Sequence, residues 1–306
     1  MSETEKKEME WSHDCFQIAT NVMFTQMSAK KGIKMFKERD VAAMLKEYTQ
    51  LDDMNTVGPL DPDKLTPEQK RKALPAVNLI KEKRNGIIKG RTCADGSPQR
   101  GYIPREKATS ATLSLDALLV SLVIDAMEGR DVAIFDVPGA YLWVDMPEEK
   151  EAILKSEGDF IDIMCDVNPE HIPNIRYENG KKVLCLRILK ALYGCIESAL
   201  LWYEIFANTL KDMGFEINPY EKCVGNKMIN GKQCTICWYV DDNKLSHVYP
   251  AVNTMIIDAI SEHFGKLVVT RGNKHTFLGM DLEMLDGRRY EELSRESHRT
   301  VWQGRQ

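Results

Sequence analysis

Tyr239-Val240-Asp241-Asp242 joins two segments of strand character, residues 234–240 and 244–248. Successive side chains on a strand point to opposite faces, so two adjacent carboxylates converge only at a tight turn. Like charges that are held close together resist ionisation unless a cation neutralises them. The stretch therefore predicts a β-hairpin whose tip binds a divalent metal ion.

A second acidic motif, Asp136-Val137-Pro138-Gly139-Ala140-Tyr141, ends a segment of strand character at residues 131–137. Two-metal phosphoryl transfer uses carboxylates to hold two ions about 4 Å apart, and this motif supplies the further carboxylate. Together the two motifs predict a polymerase palm with Asp136 and Asp241 as bridging ligands. Taken singly, they also fit a solvated turn for the Asp pair, and a helix cap or a salt bridge for Asp136.

The ordered series of motifs resembles the reverse transcriptases of copia-type LTR retrotransposons. In that family an aspartate is followed five residues later by a tyrosine, and a Tyr-x-Asp-Asp hairpin comes downstream. The resemblance runs over residues 22–285, and its motifs occur in family order. The further motifs are Ile88-Lys89-Gly90-Arg91, Lys190-Ala191-Leu192-Tyr193-Gly194, Trp202-Tyr203 and Phe277-Leu278-Gly279.

The resemblance implies an α+β fold, the reverse-transcriptase right hand, in which an antiparallel palm sheet packs on helices beside the fingers. Nothing in the chain resembles a thumb, a connection region or ribonuclease H, so we expect these parts to be absent. The expected domains are an N-terminal helical, variable region at 1–60, the reverse transcriptase domain at 61–285 and a polar tail at 286–306. Within that domain, the fingers are expected at 61–105 and 146–195, and the palm at 106–145 and 196–285.

Hydrophobic periodicity gives the same α+β plan without the resemblance. The segment 110–127 is apolar at helical spacing, which predicts a buried helix that Gly129 ends. Asn230-Gly231 predicts a type I′ hairpin, and Thr66-Pro67 predicts a helix start. The other predicted helices span 33–48, 197–213 and 251–264, and the other predicted strands span 183–189, 224–229, 233–240, 266–270 and 276–285.

The resemblance also assigns residues to nucleotide binding. It places Asp242 in the same metal cluster with a looser role, and Lys89 and Arg91 on the triphosphate. Residues two apart on a strand share a face, so both cations could reach one phosphate chain. They could equally be solvated, and Arg84 and Arg100 are rival candidates.

Four further assignments rest on the resemblance. Tyr141 would lie beneath the incoming sugar and exclude a 2′-hydroxyl, although a core position is the alternative. Tyr193 and Gly194 would approach the nucleotide and the template. Tyr239 and the segment Phe277-Leu278-Gly279 would position the primer. Lys274 is a candidate general acid for the pyrophosphate leaving group.

Composition sets limits on these assignments. The chain has 306 residues with a formal charge of −5, yet residues 81–107 hold eight basic and three acidic residues, a basic segment suited to phosphates or simply to solvent. No apolar run resembles a membrane span or a signal peptide.

The eight cysteines show no framework spacing and are expected to be reduced. Cys234-Thr235-Ile236-Cys237 has zinc-type spacing, but strand positions three apart face opposite ways.

The predicted function is RNA-directed DNA polymerisation with two Mg²⁺ ions, for which Mn²⁺ is an alternative. The predicted partners are an RNA template, a DNA primer, deoxynucleoside triphosphates and other parts of a parent polyprotein, with no membrane. The expected location is the cytoplasm, a virus-like particle or the nucleus, and not the secretory route. The alternatives are an inactive relic that keeps the fold, and an unrelated metal-dependent phosphotransferase or nuclease.

Overall fold

The structure is a computed structural model that describes residues 26–28, 38–82 and 86–284. The chain divides into two compact units, each built from two segments. Unit 1 comprises Met1–Pro104 and Asp145–Ser198, and unit 2 comprises Arg105–Val144 and Ala199–Gln306. The names fingers and palm stay predictions. The predicted polar tail, Arg84 and the segment 33–37 of the first predicted helix lie outside the described residues.

The described strands are numbered β1 to β15 in chain order. They are β1 Gln26–Ser28, β2 Val57–Pro59, β3 Leu74–Glu82, β4 Ile88–Ala94, β5 Asp131–Asp136, β6 Ala152–Glu157, β7 Arg176–Glu178, β8 Lys181–Ile188, β9 Glu216–Ile217, β10 Val224–Ile229, β11 Lys232–Tyr239, β12 Asp242–His247, β13 Val268–Thr270, β14 Lys274–Phe277 and β15 Met280–Glu283.

The described α-helices are numbered in the same way. They are α1 Glu38–Asp53, α2 Pro67–Lys72, α3 Leu115–Glu128, α4 Phe160–Val167, α5 Ser198–Asp212 and α6 Pro250–Phe264. Short 3-10 helices, including Ser97–Gly101 and Ala140–Trp143, connect some of them.

Unit 1 contains a seven-stranded sheet in the order β1-β3-β6-β8-β2, in which β4 pairs with β3 and β7 with β8. Its pairs are antiparallel except β3 with β6. Helix α1 packs against β4 so closely that a Cβ added at Gly90 would lie 2.7 Å from the carbonyl oxygen of Ala43. Glycine at this position therefore allows the helix and the strand to approach each other.

Unit 2 contains an antiparallel sheet in the order β13-β5-β12-β11-β10-β9. One face packs on α5 and α6 through aromatic rings. Trp202 stacks on Phe206 with ring centroids 5.3 Å apart, and Phe206 meets Trp238 of β11 at 5.7 Å. The opposite face packs on α3, where Ser121 Oγ lies 3.5 Å from Cys237 Sγ. The antiparallel sheet and its helices confirm the α+β plan for this unit.

A buried ion pair joins α3 to the sheet of unit 2. The Lys244 ammonium of β12 donates to the Asp125 carboxylate, and both side chains are fully buried. The Arg130 guanidinium lies 3.7 Å from the same carboxylate and donates to Thr235 Oγ1 at 2.9 Å. Polar side chains thus lie on the face of α3 that packs on the sheet, where a purely apolar core would have hydrophobic side chains.

The prediction of a buried helix at 110–127 is wrong in two respects. Helix α3 begins at Leu115, after the N-cap Ser114, although Gly129 ends it in the left-handed conformation as expected. The helix also turns much of its apolar surface to solvent, because its sheet-facing side carries Ser121 and Asp125. The exposed apolar residues are Leu115, Leu119, Val120, Val123 and Met127.

Other helix and strand boundaries agree with the sequence prediction in some places and differ from it in others. Thr66 forms the N-terminal capping box of α2 with Gln69, and Asn230 and Gly231 have the positive φ values, 52° and 72°, of a type I′ hairpin. The predicted strand 276–285 is instead two strands, β14 and β15, because Leu278 and Gly279 turn the chain with φ values of 50° and 79°. Helix α1 extends to Asp53, five residues beyond the predicted end.

Among the described residues, no helix combines the length and the apolar character needed to cross a membrane.

Candidate active site

The hairpin tip between β11 and β12 has a strained two-residue turn. Tyr239 pairs with Asp242, which leaves Val240 and Asp241 as the central residues. Val240 has a φ of 57°, and positive φ at the first central position alone is the signature of a type II′ turn. Glycine normally occupies this position, so a β-branched residue here stores about 1–3 kcal/mol of strain.

Four hydrogen bonds hold this turn in place. The Asp241 carbonyl oxygen accepts from the Val137 amide at 3.1 Å and from the Asn243 side-chain amide at 2.7 Å. The Trp202 indole donates to the Val240 carbonyl oxygen at 2.8 Å. The Asn243 amide also reaches the Phe135 carbonyl oxygen at 3.4 Å. The turn is thereby tied both to the segment that follows Asp136 and to helix α5.

The strand register brings two of the predicted acids side by side. Asp136 ends β5 and lies opposite Asp242, the first residue of β12. Directly opposed residues of an antiparallel pair project from the same face with Cβ atoms about 4.5–5.5 Å apart. Asp241 is the adjacent turn residue. We call Asp136, Asp241 and Asp242 the acidic corner.

The electrostatics of the acidic corner favour a cation. Burial, and then the neighbouring Asp241 charge, raises the pKa of Asp242 above its usual range. A divalent cation would relieve both effects. Within the described ranges, no group of three or more His, Cys, Asp or Glu side chains is arranged to hold a metal ion. Magnesium commonly takes only one or two protein carboxylates and completes its shell with waters and phosphates, so the magnesium site stays a prediction.

Tyr141 lies close to the acidic corner. Gly139, with a φ of 66°, opens the 3-10 helix Ala140–Trp143 just after β5, and Tyr141 is buried within it. Burial, followed by the charges of Asp241 and Tyr239, raises the pKa of Tyr141 to about 12. The side chain of Tyr141 is therefore largely buried, as the core alternative expects, and it also neighbours the acids; its role towards a sugar stays a prediction.

In unit 1, two of the predicted nucleotide-binding segments meet. The Arg91 guanidinium of β4 lies 5.1 Å from the centroid of the Tyr193 ring, a distance within the range of a cation–π contact. The Ala94 amide donates to the Tyr193 carbonyl oxygen at 2.7 Å. Lys89 is exposed on the same strand face as Arg91. Arg91 and Tyr193 are thus brought together, although they are far apart in sequence.

Gly194 occupies a position that only glycine can fill. Its φ is 92°, and an added Cβ would lie 1.9 Å from the carbonyl oxygen of Ala94. Gly96 approaches the other side of the same turn, where an added Cβ would lie 2.2 Å from the carbonyl oxygen of Gly194. The Tyr-Gly motif therefore has a packing reason within unit 1, independent of any ligand.

The remaining candidates lie on the β14–β15 hairpin. Phe277 is buried, whereas Leu278 and Gly279 form the turn. Strand β14 contacts β5 but forms a separate two-stranded sheet with β15. Lys274 is exposed and forms an ion pair with Glu283 at 3.4 Å. The structure does not bring Lys274 into register with the acidic corner, and the roles of all these residues stay predictions.

Some supporting residues were not predicted from the sequence. Asn243 and Trp202 hold the hairpin tip, and Glu47 of α1 accepts a hydrogen bond from the backbone of β4. Trp202 belongs to the Trp202-Tyr203 motif, and Asn243 directly follows the Asp pair. Glu47 carries no sequence signal, because its contact joins residues 45 positions apart.

The seven described cysteines are free thiols, as predicted. Cys234 and Cys237 are both buried on β11. Burial raises the pKa of Cys234 to about 12.

Comparison with protein families identifies the class to which this fold and site belong. The family described as reverse transcriptase (RNA-dependent DNA polymerase) matches residues 66–288. The match covers well over half of the chain, so the chain belongs to the reverse transcriptase family.

Curated relatives of this chain include retrotransposon polyproteins. The Ty1-DR5 Gag-Pol polyprotein of Saccharomyces cerevisiae is 26% identical over 273 residues, which are 86% of this chain and 14% of that protein. The truncated transposon Ty1-A Gag-Pol polyprotein of the same yeast is also 26% identical, with 20% of its length covered. The chain thus spans a small part of these relatives, and its resemblance to the copia-type retrotransposon enzymes is confirmed.

Proposed function

We propose that this chain is an RNA-directed DNA polymerase domain that adds deoxynucleotides to a primer by two-metal phosphoryl transfer. The observation that carries the proposal is the register of Asp136 opposite Asp242 beside the strained Val240-Asp241 turn. A solvated turn would have no need of a buried Asn243 and a tryptophan indole to hold it. Retention of all three acids supports catalysis over an inactive relic.

Asp136, Asp241 and Asp242 would hold two Mg²⁺ ions, with Mn²⁺ as the second candidate. When bound, such ions activate the primer 3′-hydroxyl and stabilise charge on the triphosphate. The contribution of the chain is the fixed placement of the carboxylates, because β5 and the turn are connected by the hydrogen bond from Val137 to Asp241.

Tyr141 would exclude ribonucleotides by contact with a 2′-hydroxyl. Like any tyrosine, it is neutral at physiological pH, and its raised pKa of about 12 extends this to alkaline pH. Tyr239, which pairs with Asp242 across the hairpin, would contact the primer end, and the turn at Phe277, Leu278 and Gly279 would position the primer strand.

In unit 1, Lys89 and Arg91 would bind the triphosphate. Arg91 suits this task because a guanidinium forms bidentate contacts with phosphate oxygens, and Tyr193 restricts its orientation. Gly194 would allow close backbone approach of the nucleotide. Lys274 would have to leave Glu283 before it could protonate pyrophosphate.

The proposed partners are an RNA template, a DNA primer and deoxynucleoside triphosphates, with a cytoplasmic location. The relatives are Gag-Pol polyproteins, which supports other polyprotein parts as further partners.

Primer extension on an RNA template with Mg²⁺ tests the proposal. The chain should extend the primer, Asp241→Asn should not, and Asp258→Asn should match the wild type because Asp258 is an exposed residue of α6. Folding of each variant is checked by circular dichroism. No extension by a folded wild-type chain would favour the inactive relic, and equal extension by Asp241→Asn would reject the site.

The Tyr141 assignment has a separate test. Tyr141→Ala should raise the incorporation of ribonucleotides relative to deoxynucleotides. An unchanged ratio in a variant that still extends with deoxynucleotides would reject the steric role.

A further inference from the structure

Asn243 lies directly behind the acidic corner, on the other face of the sheet. It follows Asp242 on β12, so its side chain projects from the opposite face. Its cross-strand neighbour on β11 is Trp238, whose ring meets Phe206 of α5 at 5.7 Å. Asn243 is fully buried on this side, so its side chain does not reach a substrate bound at the acidic corner.

The side-chain amide of Asn243 joins the two backbone segments that carry the acids. Its Nδ2 donates to the Asp241 carbonyl oxygen at 2.7 Å and to the Phe135 carbonyl oxygen at 3.4 Å. Phe135 directly precedes Asp136. One amide group thus connects the turn of the hairpin with the end of β5.

Neither carbonyl oxygen depends on this side chain for a partner. The Asp241 oxygen already accepts from the Val137 amide at 3.1 Å. Hydrogen-bonded pairs alternate along an antiparallel ladder, and Asn243 lies opposite Phe135, two residues further along. The Phe135 oxygen therefore also accepts from the backbone amide of Asn243. The two bonds from the side chain are additional to a complete ladder.

The asparagine also leaves a polar atom unsatisfied. Among the described residues, Asn243 Oδ1 is buried and has no hydrogen-bond partner, which destabilises the folded state. An apolar side chain at this position would remove that penalty and leave both carbonyl oxygens paired. Stability alone therefore gives no reason for an asparagine here.

The strained turn gives a reason. Val240 has a φ of 57°, a conformation that is unfavourable for a β-branched residue and persists only where its surroundings enforce it. The Asn243 amide binds the carbonyl oxygen of the next residue, Asp241, and so opposes relaxation of the turn. Relaxation would move the Asp241 carboxylate.

We propose that Asn243 is a positioning residue, whose amide keeps the strained turn in the conformation that places Asp241 beside Asp136. This inference rests on the proposed polymerase function of the acidic corner. Without the amide, the ladder and the fold persist, but the turn relaxes for much of the time and Asp241 is displaced.

Asn243→Leu separates placement from stability. Leucine is similar in size but cannot donate a hydrogen bond, and it removes the unsatisfied oxygen. We expect the urea midpoint to equal or exceed that of the wild type. The kcat for primer extension should nevertheless fall about tenfold, which corresponds to about 1.4 kcal/mol in the barrier.

Asn253 of α6 provides the matched control. It is also fully buried, and its Oδ1 has no partner among the described residues. Its Nδ2 donates to the backbone oxygen and the carboxylate of Asp131, both at 2.8 Å. Asp131 begins β5, at the opposite end from Asp136. Asn253→Leu should therefore lower the urea midpoint and leave the kcat of the folded protein unchanged.

Hydrogen exchange of the Val137 amide provides a readout that needs neither metal nor substrate. This amide donates to the Asp241 oxygen, so its exchange rate in the full chain, measured by NMR, reports opening of the turn. We expect exchange to be about tenfold faster in Asn243→Leu than in the wild type. Adding Val240→Gly should restore most of the protection, because glycine adopts positive φ without strain.

Several outcomes would overturn the inference. If Asn243→Leu lowers the urea midpoint and reduces extension only as far as it unfolds the chain, Asn243 is a structural residue. Equal kcat in folded Asn243→Leu and wild type would reject the positioning role while the proposed function stands. If the wild-type chain extends no primer, the proposed function fails, and the exchange of Val137 then decides alone: unchanged exchange in Asn243→Leu rejects the inference, and faster exchange supports it.

Discussion

Replacing Asp125 by asparagine tests whether a buried ion pair holds the strand that begins at Asp242. Both side chains of the pair are fully buried, so Asp125→Asn leaves the Lys244 ammonium without its counter-charge. Removing one partner of such a pair typically costs about 3–5 kcal/mol. Since domains are stable by only about 5–15 kcal/mol, we expect this variant to lose a large part of the stability of unit 2.

Replacing Lys244 instead of Asp125 should lower the free energy of unfolding by a smaller amount. In Lys244→Met, Asp125 keeps a second cation, because Arg130 Nη1 lies 3.7 Å from its Oδ1. Arg130 is itself held by Glu128, at 2.9 Å. We therefore expect a loss of about 1–3 kcal/mol for Lys244→Met. The double variant Asp125→Leu, Lys244→Met should be more stable than Asp125→Asn, since apolar groups can replace a buried pair.

Urea denaturation followed by tryptophan fluorescence measures these effects, because Trp202 and Trp238 are buried in unit 2. Glu283→Gln is the control, since it removes an exposed ion pair with Lys274 that is worth less than about 1 kcal/mol. If Asp125→Asn cost no more than this control, the argument from burial would be refuted.

Three further predictions concern other parts of the molecule. On helix α3, Leu118→Ala should cost about 2–5 kcal/mol and Leu119→Ala less than about 0.5 kcal/mol, because the first side chain is fully buried and the second is 48% exposed; equal losses in urea denaturation would show that the exposed face is covered in solution. Gly194→Ala should abolish nucleotide binding by unit 1 and lower its thermal stability, because the added Cβ would overlap a backbone oxygen. The control Gly101→Ala adds a Cβ that meets nothing within 4 Å and should behave like the wild type, whereas a folded Gly194→Ala that still binds nucleotide would contradict the structure. Because the folded-state pKa of Tyr141 is raised from 10.0 to about 12, its phenol contributes stability that is fully present below about pH 10 and is lost as pH rises to about 12; Tyr141→Phe should lose less stability over this interval, and identical pH profiles of unfolding would show that the phenol is not shifted.

The hairpin that carries Asp241 and Asp242 could be predicted because its signals are local. Apolar runs on either side of two acids, with an Asn-Gly turn one strand upstream, all lie within one short segment. Placement of Asp136 beside them needed the second motif and the family order, since pairing across such a separation leaves no local trace.

What could not be predicted depends on contacts that local patterns do not encode. Helix α3 has the predicted apolar periodicity. However, the sheet packs on the side of the helix that carries Asp125, which is buried and paired with Lys244, and not on the side with the most apolar residues. Strand β4 was recognised only through its family motif, because its core-facing residues, Gly90, Thr92 and Ala94, are small or polar rather than large and apolar. Glu47 acts on that strand from a helix far upstream.

Strand order in unit 2 has a consequence for synthesis of the chain. Asp136 lies between Asp242 on one side and Val268 on the other, so β5 leaves the ribosome on the order of a hundred residues before either neighbour. At a synthesis rate of about 5–20 residues per second, β5 remains without either neighbouring strand for roughly 5–20 s. A chaperone could protect its apolar residues during this period. A nascent chain halted before Asp242 would contain Asp136 but no assembled acidic corner.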